Sequence, residues 1–283
     1  VLPNVHRAVL LRLTLLGLAS GVLLSTLGLL AQRADPPLGS VPIIDPGGRS
    51  YWLVGLALAV VCGVTYQLAD RTMLYARVTA AARGVRYDPV PDVPLAWILP
   101  FTTFTGAVLL LSVYHTFTAI VAIALGSFLA LVAGMGARHH LYDADEQARS
   151  YARIVHTLVV HGVALVTLSM IYINKLRSLY SGTAVLLLGG LLLLQLSEAE
   201  DIPLDRRVLY AVVGGLVLGE VTWALNYWRA TGWLGGAVLL VFFYLLAGVI
   251  LIQMQRGATI RDVAEYGAVA ALAFGVLVWA TLR

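Results

Sequence analysis

The sequence predicts an all-α, polytopic transmembrane helical bundle of about nine spans with a cytoplasmic N-terminus, and three observations lead there. Of 283 residues, 60% are hydrophobic and only 12% charged, about half the charged share of a soluble domain. The apolar residues form continuous runs of about 20, the helix length that crosses about 30 Å of hydrocarbon at a rise of about 1.5 Å per residue. The basic residues sit between the runs and alternate in abundance from one connection to the next, as the positive-inside rule requires.

Stretches without Asp, Glu, Lys or Arg cover 13–32, 50–69, 93–137, 154–174, 178–197, 208–228, 230–255 and 263–282, interrupted only by Glu220 and Glu265. The run 93–137 is twice the length of the others. It must fold back, and the polar step Tyr114-His115-Thr116 is the natural turn. Spans are therefore expected at about 10–32, 50–69, 95–114, 117–137, 154–174, 179–197, 208–228, 234–255 and 264–282, forming one transmembrane domain over 1–283. The runs are continuously apolar and do not alternate, so helices satisfy the backbone in lipid where barrel strands are excluded. Val1 to Leu30 has the basic-then-apolar order of a signal peptide, but the run is too long and no small-residue cleavage site closes it. It reads as an uncleaved first span.

With the N-terminus inside, 13 of the 19 basic residues fall on the cytoplasmic side and 6 outside, with the C-terminus outside. The net charge of +4 is thus a matter of topology, with no nucleic-acid partner implied. Trp52, Trp97, Trp228, Trp233 and Trp279 lie near expected span ends, where an amphipathic ring prefers the headgroup level; Trp223 alone sits deeper. The single cysteine, Cys62, permits no intrachain disulfide and no cysteine metal cluster. It reads as a small buried apolar residue.

Three connections carry information. Arg33 to Arg49, with Pro36, Pro37, Pro42 and Pro46, is expected to be irregular and stiff. Asp70 to Arg83 spaces arginines at helical intervals, and 87–94 is rich in proline, so an interfacial amphipathic helix followed by an extended strap is expected. Arg138 to Arg153 mixes charges at helical spacing and should extend the fifth span as a helix.

Glu220 is the leading candidate for function, because an acid inside a span is costly to ionise and marks a site by default. Trp223 and Tyr227 share its helix face at offsets of three and seven. By depth alone, Thr167 on the fifth span and Tyr244 on the eighth reach its level. Two readings stay open: a proton or cation site, and a hydrogen-bonded carboxyl that pins its helix to neighbours. Gly17 and Gly21, Gly215 and Gly219, and Gly232 and Gly236 have the i, i+4 spacing that lets helices approach closely. Packing at Gly215 and Gly219 is expected to bury the neighbouring carboxyl against protein.

Other chemistry finds little footing. His156 and His161 lie about 140° apart on a helix and cannot face one iron together, while His115 belongs to the opposite side of the bilayer. The stretch His139 to Glu146 has ligand-type side chains but reads as a solvated helix start. Nucleophile-elbow, zinc-protease and phosphate-loop signatures are missing. No metal and no cofactor are expected.

Gly219-Glu220-Val221-Thr222-Trp223-Ala224-Leu225-Asn226, followed by Phe243-Tyr244 and Gly248, resembles the E-x-x-W-A-L and F-Y-x-L-x-G pattern of a family of uncharacterised bacterial multi-spanning membrane proteins. The resemblance covers the last four or five spans. It implies a bacterial inner-membrane location and a patterned role for Glu220 and Trp223, and carries no assigned activity. The function expected is a non-enzymatic bundle that packs with other membrane subunits or with a second copy, or that binds a lipid-like ligand; its partners are membrane lipids and such subunits. The alternative is a small proton-coupled transporter working through Glu220.

Overall fold

The computed structural model describes residues 2–31, 45, 48–81, 95–141, 145–174, 178–200, 202–228 and 232–281. The proline-rich connection after the first span lies almost wholly outside the described residues, and the strap 87–94 lies outside them entirely.

Among the described residues there are nine α-helices and no strands: α1 (Leu2–Ala31), α2 (Arg49–Ala81), α3 (Ile98–Val113), α4 (Phe117–His140), α5 (Glu146–Ile173), α6 (Ser178–Leu196), α7 (Leu204–Leu225), α8 (Trp233–Arg256) and α9 (Ile260–Thr281). Each expected span falls on one of them. Eight are long and apolar enough to cross a membrane, and α3 is the shorter exception. Its 16 residues rise about 24 Å. It is apolar all round, as a helix enclosed by others must be, and eleven of its residues are buried.

The turn at 114–116 has a clear local cause. Tyr114 is extended and ends α3, while the Thr116 hydroxyl accepts from the Ala119 backbone N–H at 3.3 Å and caps α4, the usual work of threonine before a helix. Pro100 is tolerated because it lies in the first turn of α3, where its missing N–H would have no intrahelical partner.

Two expectations near connections are corrected. No separate interfacial helix begins at Asp70. Instead α2 continues to Ala81 for 33 residues, since 70–81 holds neither proline nor glycine to stop it. The stretch His139 to Glu146 is not one helix start. His139 and His140 close α4, where basic side chains suit the helix C-terminus, and Asp145 precedes α5, accepting from the Gln147 N–H at 3.1 Å. As expected, α5 begins well before its apolar run.

The chain divides into two compact units, 1–159 and 160–283, with the division inside α5. In the first, α1 packs on α4 and α2 on α3. Leu13, Leu24, Leu27, Tyr51, Tyr66, Phe104 and Leu131 build its core. The Tyr51 hydroxyl donates to the Val108 carbonyl at 2.6 Å, tying α2 to α3. Cys62 is buried with its sulfur 3.5 Å from Ser20 Oγ. Asp70 and Arg138 form an ion pair, with Arg138 buried.

In the second unit α6 and α7 form an antiparallel hairpin through a 3-10 turn, Ser197–Ala199. α7 also packs on α8, and α8 on α9. The α5 segment in this unit meets α8 at Gly235 and Gly236, where an added Cβ would collide with Tyr172 and Ser169. Thr259 and Asp262 form a reciprocal cap at the start of α9: Asp262 Oδ2 accepts from the Thr259 N–H at 2.9 Å, and Thr259 Oγ1 accepts from the Asp262 N–H at 3.3 Å.

Candidate functional site

The α6–α7 hairpin positions the candidate site. On α7, Arg207, Ala211, Gly214, Gly215, Leu218, Gly219, Thr222 and Leu225 are buried, a stripe at helical spacing that faces the rest of the unit. Glu220 lies two residues past Leu218, about 200° round the helix. It is exposed, on an outward stripe with Leu209, Val213, Leu216, Trp223 and Tyr227.

The burial expected for Glu220 is therefore corrected. Gly215 and Gly219 do mediate close packing, but they present their backbone to α6 while the next residue turns away. A Cβ on Gly215 would lie 2.5 Å from the Leu186 carbonyl oxygen, and one on Gly219 would lie 3.2 Å from the Gly182 carbonyl oxygen.

This close crossing leaves a shallow, open groove of about 250 Å³ on the outward face, lined by Leu179, Gly182, Thr183, Leu186, Leu216, Gly219, Glu220 and Trp223. Its polar groups are few. The Thr183 hydroxyl donates to the Leu179 carbonyl at 2.8 Å, so it faces the groove as an acceptor. The Trp223 ring stands edge-on to Tyr227, with centroids 5.4 Å apart. Asn226 Nδ2 donates to Ser181 Oγ at 3.3 Å and fastens the end of the hairpin.

Of the residues grouped by depth, Glu220, Trp223 and Tyr227 come together and the other two do not. Thr167 is fully buried on α5, and the Tyr244 ring packs against Tyr266, 5.6 Å away, and His161. Depth fixes height along a span but not azimuth. Gly17 and Gly21 meet α4 at Phe128 and at the Ala124 carbonyl, and Gly236 meets Ser169. Gly232 belongs elsewhere: it has φ +56° with open space around it, so its role is the left-handed backbone before α8.

Sequence reading missed a buried polar cluster at the other end of the same hairpin. Arg207 is only 3% exposed. Its Nε donates to Ser197 Oγ at 3.1 Å and its Nη2 to the Leu194 carbonyl at 3.4 Å. Beside it, Gln195 Nε2 donates to the buried Glu198 carboxylate at 2.7 Å. Neighbouring Arg206 is exposed, and composition treats the pair alike. The usable signal was position: Arg207 shares a helix face with Ala211 and Gly214. The Arg207 contacts staple the start of α7 to the end of α6 and the turn after it, where Gln195 and Glu198 pair. Among the described residues, no group of three His, Cys, Asp or Glu side chains is placed to hold a metal ion.

With eight helices among the described residues long and apolar enough to cross a membrane, the chain is a multi-pass α-helical membrane protein. Residues 34–280 match the family described as protein of unknown function (DUF5656), and the chain belongs to that family. The match extends the resemblance noted for the last spans across the proline-rich connection and into the first unit. No curated protein and no solved structure matches the chain.

Proposed function

We propose that this protein is a non-enzymatic membrane bundle that packs with another membrane subunit through the outward face of its α6–α7 hairpin. One observation carries the reading: Glu220 lies on that face inside a span. It lies six positions before the Asn226 cap, about 9 Å of helix, and its side chain leans toward the α7 N-terminus, deeper into the span. A carboxyl inside a span is costly, and such groups characteristically pair with a partner or face protein. Among the described residues, α6 flanks it with Leu179, Gly182, Thr183 and Leu186, and Glu220 stays exposed. The proposed setting is a bacterial inner membrane, as the resemblance of the last spans implies, with the N-terminus cytoplasmic, which the distribution of basic residues supports.

Proton-coupled transport gains no comparable support. A solute path needs several polar groups lining a cavity, and the groove at Glu220 has apolar walls apart from Thr183 and Glu220 itself.

The test places a photo-crosslinking amino acid at position 223 in native membranes, with position 53, on an exposed leucine of α2, as the control. A discrete protein adduct at 223 but not at 53 is the expected result. Lipid adducts alone at both positions would overturn the reading.

A further inference from the structure

We infer that the partner on the α6–α7 face is a transmembrane helix carrying a basic side chain at the depth of Glu220. This rests on the packing reading above and deepens it. The groove's oxygen groups are a carboxyl at Glu220 and a Thr183 hydroxyl whose proton is committed to Leu179, and the Trp223 ring lies beside them. Carboxylate, hydroxyl oxygen and indole ring together suit an ammonium or guanidinium group, which supplies donors, charge and a cation for the aromatic face. Around them the walls are leucine and glycine, which suit an apolar helix.

A second copy of this chain cannot supply that cation. All 19 Lys and Arg residues lie outside or at the edges of the apolar runs. Of the two histidines within spans, His156 is fully buried and His161 packs on Phe243 with ring centroids 5.3 Å apart. An amine lipid is also excluded by depth, since its headgroup lies at the membrane surface, while the Glu220 carboxyl lies about 9 Å or more down the helix.

The probe is a leucine–alanine transmembrane peptide of about 22 residues with one lysine near its centre, compared with the same peptide carrying leucine there. Both are labelled for energy transfer to the full-length protein in phosphatidylcholine vesicles. The lysine peptide is expected to associate about fivefold or more tightly, as an intramembrane polar contact implies. The preference should peak where lysine and Glu220 share a depth, fall when lysine moves two turns along the peptide, and disappear in Glu220→Gln and Glu220→Ala. Equal association of both peptides, or a lysine preference that survives Glu220→Ala, would overturn the inference. Crosslinking at position 223 separates its failure from that of the packing reading: an adduct of the chain with itself leaves packing intact and removes the basic helix, whereas lipid adducts alone remove both.

Discussion

Replacing Gly215 by alanine tests the α6–α7 crossing that turns Glu220 outward. The new Cβ would stand 2.5 Å from the Leu186 carbonyl oxygen, with the Gly190 backbone at 3.2 Å. Ordinary contact begins near 3.4 Å, so the two backbones must separate by about 1 Å. Neither neighbour is a side chain that could rotate aside. Overpacking of this kind costs about 1–3 kcal/mol. The helix-propensity gain of glycine to alanine, about 1 kcal/mol in water, does not offset it, because an unfolded chain in the bilayer keeps its helices to satisfy its backbone. Two controls calibrate the effect. Gly214→Ala places a Cβ 2.4 Å from Leu193 Cδ1, the end of a flexible side chain, and should cost less. Gly275→Ala meets nothing within 4 Å and should be neutral. Unfolding of the three variants in mixed micelles, followed by helix–helix energy transfer across the hairpin, gives the comparison. Equal stabilities for the Gly215 and Gly275 variants would refute the close crossing.

Further expectations follow from individual contacts. Arg207→Ala should destabilise the hairpin by about 1–3 kcal/mol, the cost of leaving the buried Ser197 hydroxyl and Leu194 carbonyl without their donor, while Arg206→Ala changes thermal stability little; equal effects would contradict the burial of Arg207. Thr259→Ala removes one half of the α9 cap and should cost about 0.5–2 kcal/mol, seen as faster amide exchange confined to the first turn of α9. Glu220→Gln and Glu220→Lys should both accumulate and unfold like the parent when purified, because the side chain is outside the core; aggregation of the lysine variant alone would place the carboxyl inside. Asp70→Asn and Arg138→Gln should show coupling in a double-mutant cycle, and strictly additive effects would contradict their pairing.

Much of the fold was legible because lipid imposes one simple demand. A helix must be about 20 apolar residues long, so span positions, the reversal at Tyr114 to Thr116, and the α5 extension all follow from where charges and polar steps stop the runs. Connections were less legible. Nothing in 70–81 breaks a helix, yet periodic arginines invited a separate amphipathic element where α2 simply continues. Azimuth was least legible. In a soluble helix the polar face announces itself, but in lipid both faces of α7 are apolar, so only glycine positions hint at the inward side. Gly215 and Gly219 pointed to the α6 contact correctly; concluding that adjacent Glu220 shared their burial ignored the 100° step between consecutive residues. Arg207 escaped notice for a related reason: a charge at a span end is ordinarily solvated, and only tertiary packing distinguishes it from Arg206.

The covering of the Glu220 face is tested most directly by the lipid contact of position 223. A spin label there, read by oxygen accessibility, should be shielded in native membrane particles and become fully lipid-accessible once the chain is purified alone into the same lipids. Equal and high accessibility in both preparations would mean that hydrocarbon, with no partner, surrounds this carboxyl in the cell.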